Sequence, residues 1–178
     1  MSKIQLRKSL QGLSEVLSGL YELDWFCNLD KYVNYKEPKN TNLVRNNVKH
    51  VIGGLSVLYL FAIFESYFDN KYWKSYIEPG DEKILRAYRH VRHSIAHGHH
   101  GFRVQPMSPR GQNKDEYDAF DDVIKKNLFP DKIILLNKSN NTITIDPAVG
   151  ILLKKFMLEV TQKAIAKVAT SVVQKGSV

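Results

Sequence analysis

Five of the chain's six histidines fall within RHVRHSIAHGHHG, residues 89–101, with Arg89 and Arg92 threaded between them. Histidine exchanges protons near neutral pH and ligates metals, and arginine carries a permanent planar cation. The segment could therefore do acid–base chemistry, hold a metal, bind an anion, or simply complement the negative end of a helix dipole from a solvated surface. His93 and His97 stand at i and i+4, which places them on one helical face where they could chelate. Against a metal, residue 94 is Ser, so H-E-x-x-H is absent. The chain also has one cysteine, Cys27, and two arginines would repel a cation. No metal and no cofactor is expected.

Asp81 and Gly98 bracket this cluster as an N-cap and a C′ residue, predicting a helix over 82–97. At about 100° per residue, Ile84, Tyr88, Val91 and Ile95 gather on one side and form its buried face. Arg92 lies at the edge of that face. Arg89, His93 and His97 fall on the other side, so the histidines are expected to point away from the core, toward water or another molecule.

Other elements must hold that helix. Leu6, Leu10, Leu13, Leu17 and Leu20 form a seam spaced 4, 3, 4 and 3, predicting a first helix from Ser2 to the Tyr32 region. The polar stretch NYKEPKNTNLVRNN follows, broken at Pro38. A second, strongly apolar helix is expected from Leu43 to Tyr76, ended by EPGD. Its run VIGGLSVLYLFAIFESYF is interrupted at Glu65, too soon to cross a bilayer comfortably, and reads as a core helix. After Gly98 a loop without periodicity is expected, then a short helix between Asp115 and Leu128. KIILL (132–136) and TITID (142–146) flank NKSNN as a β-hairpin. Asp146-Pro147 opens a last helix to about Gln174, with Val149, Leu152, Phe156, Val160 and Val168 on one stripe. The expected fold is one all-α domain, a four-helix bundle with a small hairpin inserted before the last helix.

The chain has 178 residues, a net charge of +8 and 43% apolar residues, with a pI near 9.5 and a mean hydropathy of −0.32. That length buries a core without staples, and nine Tyr and eight Phe argue against disorder. A lone cysteine excludes an internal disulfide framework, and MSKIQLRKSLQGLSEV has no long apolar run, so a cytoplasmic protein without a leader or membrane partner is expected. The positive balance raises the prior for polyanionic partners.

The segment RHSIAH, Arg92 to His97, fits an Arg–x4–6–His pattern in which a polar residue, here His93, follows the arginine. RNNVKH, Arg45 to His50, fits it too, but only the former lies one helix after an apolar helix with a lone acid, Glu65. On that arrangement the chain resembles the HEPN superfamily, specifically over about residues 55–98. The resemblance implies a metal-independent endoribonuclease working as a homodimer through the faces that carry Arg92 and His97. It also implies a toxin or antiviral defence effector, with an antitoxin or another regulatory protein as a possible partner. The hairpin is not part of the minimal four-helix core and leaves the subfamily open.

What the resemblance implies about residues agrees with the chemistry. Metal-free RNA cleavage needs proton transfer to and from ribose and leaving oxygens and a cation for the developing charge, roles suited to His97 and Arg92. His93 would orient or share protons with them, and Glu65 would pair with the motif arginine or histidine. Arg89, Arg103, Arg110 and Lys114 are candidate contacts to the RNA backbone. On one helix Arg92 and His97 lie about 140° apart, so two copies around a two-fold axis would enclose a phosphate better than one. The rival readings are a non-catalytic HEPN module that binds RNA or nucleotide or scaffolds a complex, a helical interaction protein with incidental histidines, and a zinc hydrolase.

Overall fold

The structure is a computed structural model that describes residues 1–29, 41–97, 99–100, 103–107, 114–130 and 133–173, without the side chains of 41–44, 99–100, 103 and 172–173. The expected polar connection around Pro38, the end of the first helix near Tyr32, and Gly98, Phe102, Arg110 and Gln174 lie outside these residues.

α1 (Lys3–Gly19) opens with a reciprocal cap: Gln5 N–H donates to Ser2 Oγ, and Ser2 N–H donates to Gln5 Oε1. Leu6, Leu10, Leu13 and Leu17 are buried as the seam predicts. The helix does not continue to Tyr32, however. Leu20 leaves helical geometry at ψ 68°, and α2 (Glu22–Cys27) starts afresh after the turn. The break turns Leu23 and Cys27 into the core, with Cys27 Sγ 3.6 Å from Ser56 Oγ.

α3 (Thr41–Tyr67) is the apolar helix, and it is shorter than expected. Phe64 and Phe68 are buried on one face, and the next buried aromatic, Trp73, falls about 140° away on a continued helix. Asp69 breaks the run by accepting from Lys71 N–H, a 3-10 turn spans Asn70–Tyr72, and α4 (Trp73–Tyr76) brings Trp73 inward. Its indole N–H then donates to Phe68 O at 3.1 Å. By length and composition Arg45–Tyr67 could cross a membrane. Here it is a central packing element, in contact with α1, the site helix α5 (Pro79–His97) and the last helix, α7 (Val149–Val173).

α5 starts at Pro79, not at Glu82. Glu82 N–H already donates to Glu78 O, and Pro79 needs no amide partner in the first turn. Asp81 is therefore a first-turn residue and not the cap. α6 (Lys114–Lys125) confirms the short helix and packs antiparallel on α5, with Lys83 bonded to Asp122 at one end and Arg89 to Glu116 at the other. α7 runs antiparallel to α1, since Lys3 reaches Ser171 O and Lys154 reaches Leu20 O. Its fully buried line is Val149, Leu153, Met157, Val160, Ala164 and Val168. Leu152 and Phe156 sit only partly buried at its margin.

The hairpin is present as β3 (Ile134–Asn137) and β4 (Thr142–Ile145), with Ile134 opposite Ile145 and Asn137 opposite Thr142. The segment expected to be a loop contributes two more strands, β1 (His99–His100) and β2 (Arg103–Val104). All neighbours are antiparallel, in the order β1-β2-β4-β3. Two-residue strands carry too little periodicity to be read locally, and β2 exists because Val104 pairs with Ile143 far along the chain. The molecule is thus mostly helical, with a small antiparallel sheet that includes the hairpin before the last helix. Gly53 permits close approach of helix to sheet, because a Cβ there would stand 2.9 Å from Asp146 O.

Candidate functional site

α3 and α5 are antiparallel, with Gly54 facing Ile95 and Glu65 facing Arg89. That pairing puts Arg92, Ala96 and His93 on the same side of the molecule as the exposed apolar row Val51, Leu55 and Tyr59 of α3. Between α3 and α6 lies a connected set of charges. Arg89 Nε donates to Glu65 Oε1 at 2.6 Å, and Arg89 Nη1 donates to Glu116 Oε1 at 2.6 Å. Glu116 Oε2 lies 2.8 Å from His93 Nδ1. Arg92 Nη2 stands 3.9 Å from the other Glu65 oxygen. Arg89 also lies over the Trp73 ring, 5.9 Å from its centroid.

Each expected site residue can now be placed. Glu65 pairs with the motif arginine only at long range, and its short partner is Arg89. Arg89, read as a backbone-phosphate contact, has its guanidinium engaged by two carboxylates and is 19% exposed. Arg92 is 31% exposed and His97 is open to solvent at the end of the helix. His93 is largely covered by α6. Lys114 is exposed and pairs with Asp118 at 3.5 Å. Arg103 sits in β2 beside His100, with its side chain outside the description, and Arg110 lies outside the described residues.

One correction and one omission follow. The expectation that the histidines avoid the core fails at His90, which is fully buried. α6 covers the face of α5 opposite α3, and His90 packs 5.0 Å from the Phe120 ring and 5.5 Å from Tyr117. Neither of its ring nitrogens has a hydrogen-bond partner among the described residues. The second matter is Glu116, which the motif reading missed. It shares a stripe with Ala119, Phe120 and Val123, all buried. A lone acid on an apolar face was the same signal that drew attention to Glu65.

Burial pushes the Glu116 carboxyl up, but the His93 hydrogen bond and the positive Arg89 outweigh it and hold the group below its ordinary range. Burial pushes the His90 imidazole down to about 4, with opposition from Glu116 and support from His93. An unfolded histidine titrates near 6.5, so the unfolded chain binds this proton first and folding loses stability as pH falls from about 6.5 toward 4. The loss is about 2 kcal/mol by pH 5. Glu116 acts in the same direction only below about 4.5, where its unfolded form takes up a proton. Denaturant unfolding at pH 7 and pH 5 should show the loss in the wild type and much less of it in His90→Leu. An equal loss in both would remove His90 as its source.

The rival match, Arg45 to His50, has a structural use: Ile145 N–H donates to His50 Nδ1 at 3.2 Å, tying α3 to β4. Among the described residues no group of three or more His, Cys, Asp or Glu is placed to hold a metal ion. Comparison with models of known families, with curated proteins and with solved structures finds no match.

Proposed function

We propose that the chain is a metal-independent endoribonuclease with a HEPN-like site, acting as a homodimer in a toxin or antiviral defence role. The observation that carries this reading is the open end of α5, where Arg92, next to His93, and His97, one turn beyond it, are accessible while Glu65 and Glu116 engage Arg89. A planar guanidinium with its fork partly open suits a phosphodiester and the charge that develops on it. The exposed imidazole of His97, on another face of the same helix, can move a proton. In the reaction the ribose 2′-oxygen attacks phosphorus, the bond to the 5′-oxygen breaks, and the products end in a 2′,3′-cyclic phosphate and a 5′-hydroxyl. The 2′-hydroxyl proton goes to a base and the leaving oxygen takes one from an acid, so two titrating groups serve better than one.

The row Val51, Leu55 and Tyr59 supports the dimer, since 39%, 48% and 51% of these residues is exposed on the face that carries Arg92. A two-fold axis through this face would bring two Arg92–His97 pairs together. A regulatory protein partner belongs to the same reading.

Purified protein incubated with RNA in excess chelator is expected to cut, leaving cyclic-phosphate ends. Cleavage that stops in chelator and returns with a divalent cation would overturn the proposal. One observation favours a second reading, a non-catalytic module that binds RNA or nucleotide: Arg89 and His93 are already occupied by carboxylates. Salt-dependent RNA binding without products would mark it.

A further inference from the structure

Glu116 reaches the polar face of α5 from the neighbouring helix, and its two oxygens have different tasks. Oε1 accepts from Arg89 Nη1, and Oε2 meets His93 Nδ1. Its side chain is 4% exposed, so water has little part in the arrangement. A carboxylate offers only lone pairs, and a 2.8 Å contact with Nδ1 is a hydrogen bond only when Nδ1 carries the hydrogen. In a neutral imidazole that leaves the lone pair on Nε2.

We propose that Glu116 is a positioning residue that locks His93 as its Nδ1–H tautomer, making Nε2 the atom that accepts a proton in the site. For the identity of that proton, the RNA 2′-hydroxyl, the proposal rests on the ribonuclease reading. Arg89 makes the lock rigid. Its Nε is bonded to Glu65 and its Nη1 to Glu116, so the carboxylate cannot turn without breaking a second charge-assisted bond. The carboxyl is held ionised at neutral pH by the same two neighbours, and so remains an acceptor. In the cleavage step the 2′-O–H proton passes to His93 Nε2 as the oxygen bonds phosphorus. The bond from phosphorus to the 5′-oxygen breaks as His97 gives that oxygen a proton, and the Nδ1 hydrogen stays on His93, donated to Glu116 throughout.

Glu116→Gln tests this with a specific signature. Arginine has no acceptor, so the glutamine oxygen must face Arg89. The amide nitrogen then faces His93 Nδ1 and donates to it, which forces the hydrogen onto Nε2. Imidazole nitrogen-15 spectra, with His93 assigned by the signal lost in His93→Asn, should show Nδ1–H in the wild type and Nε2–H in Glu116→Gln. On RNA, kcat should fall on the order of 10²-fold with KM nearly unchanged.

A wild-type His93 protonated on Nε2 overturns the proposal, as does a variant that keeps the wild-type tautomer. Faster cleavage by Glu116→Gln would also overturn it, because Glu116 would then restrain His93 rather than prepare it. The wild-type spectrum decides the tautomer even where the variant does not fold. If the wild type cuts no RNA but carries the hydrogen on Nδ1, the ribonuclease reading falls and the lock stands.

Discussion

His97→Ala is expected to cleave RNA on the order of 10²- to 10⁴-fold more slowly than the wild type, the usual contribution of a positioned acid or base. Its unfolding midpoint should match that of the wild type, because His97 is exposed at the end of α5 and surface substitutions commonly stay within about 0.5 kcal/mol. Arg92→Ala should lose a comparable factor by a different route, the removal of a fixed cation from the transition state. Here Glu65 is the control. Arg92 touches it only at 3.9 Å, while Arg89 holds it at 2.6 Å, so deleting Arg92 leaves the half-buried acid paired. Arg92→Lys keeps the charge without the planar fork and should restore only part of the rate. Single-turnover cleavage of an end-labelled RNA measures all three. Full activity in both alanine variants, with folding intact, would end the assignment of this edge as a cleavage site.

The second large effect is on stability. Trp73→Ala should lower unfolding free energy by about 3–5 kcal/mol, the range for emptying a buried aromatic site. Trp73 is fully buried, lies 5.9 Å from Phe64 in an edge-on contact and donates its indole N–H to Phe68 O. It also lies beneath Arg89, so the loss should reach the charged set as well as the core. Trp73→Phe keeps much of the apolar volume but leaves Phe68 O without its partner, a smaller cost of about 1 kcal/mol. Urea titrations at constant slope give both values. An alanine variant as stable as the wild type would mean that the chain does not turn inward at Asp69 as described.

That turn illustrates why sequence periodicity reached only part of the fold. The seam of α1, the position of α6 and the hairpin at 134–145 are each set by residues close together in the chain, and local patterns expose them. The breaks at Leu20 and Asp69 are different. Apolar residues continue on both sides of each, so the hydrophobic pattern runs on while the backbone turns. What places the breaks is the benefit of turning Leu23, Cys27 and Trp73 into a core assembled from distant helices. The strands β1 and β2 likewise depend on Ile143, some forty residues beyond Val104.

The site divides in the same way. Arg92, His93 and His97 were marked by a motif that Arg45–His50 also fits, so that its place one helix after an apolar run, and the resemblance resting on that arrangement, made the choice; Glu65 was marked by being an acid inside that run. Their partners were not. A helical wheel separates faces by polarity and treats every polar residue as bound for water, which holds for a helix packed on one side. α5 is packed on two: α3 meets it at Ile95 and Arg89, and α6 covers His90 and much of His93. Glu116 carried a readable signal as the acid on the stripe of Ala119, Phe120 and Val123, but nothing local says which histidine or arginine it meets.

By itself, then, the sequence determined that the chain is mainly helical, that a hairpin precedes its last helix, and that one helix end concentrates histidine and arginine. Only the tertiary structure decided which of those side chains are committed. It buried His90, gave Arg89 to Glu65 and Glu116, turned His93 toward an acid on another helix, and left Arg92 and His97 accessible. The reason is one of range. Helix and turn preferences act across three or four residues, whereas the charge, burial and partner of a side chain depend on which distant element comes to lie over it.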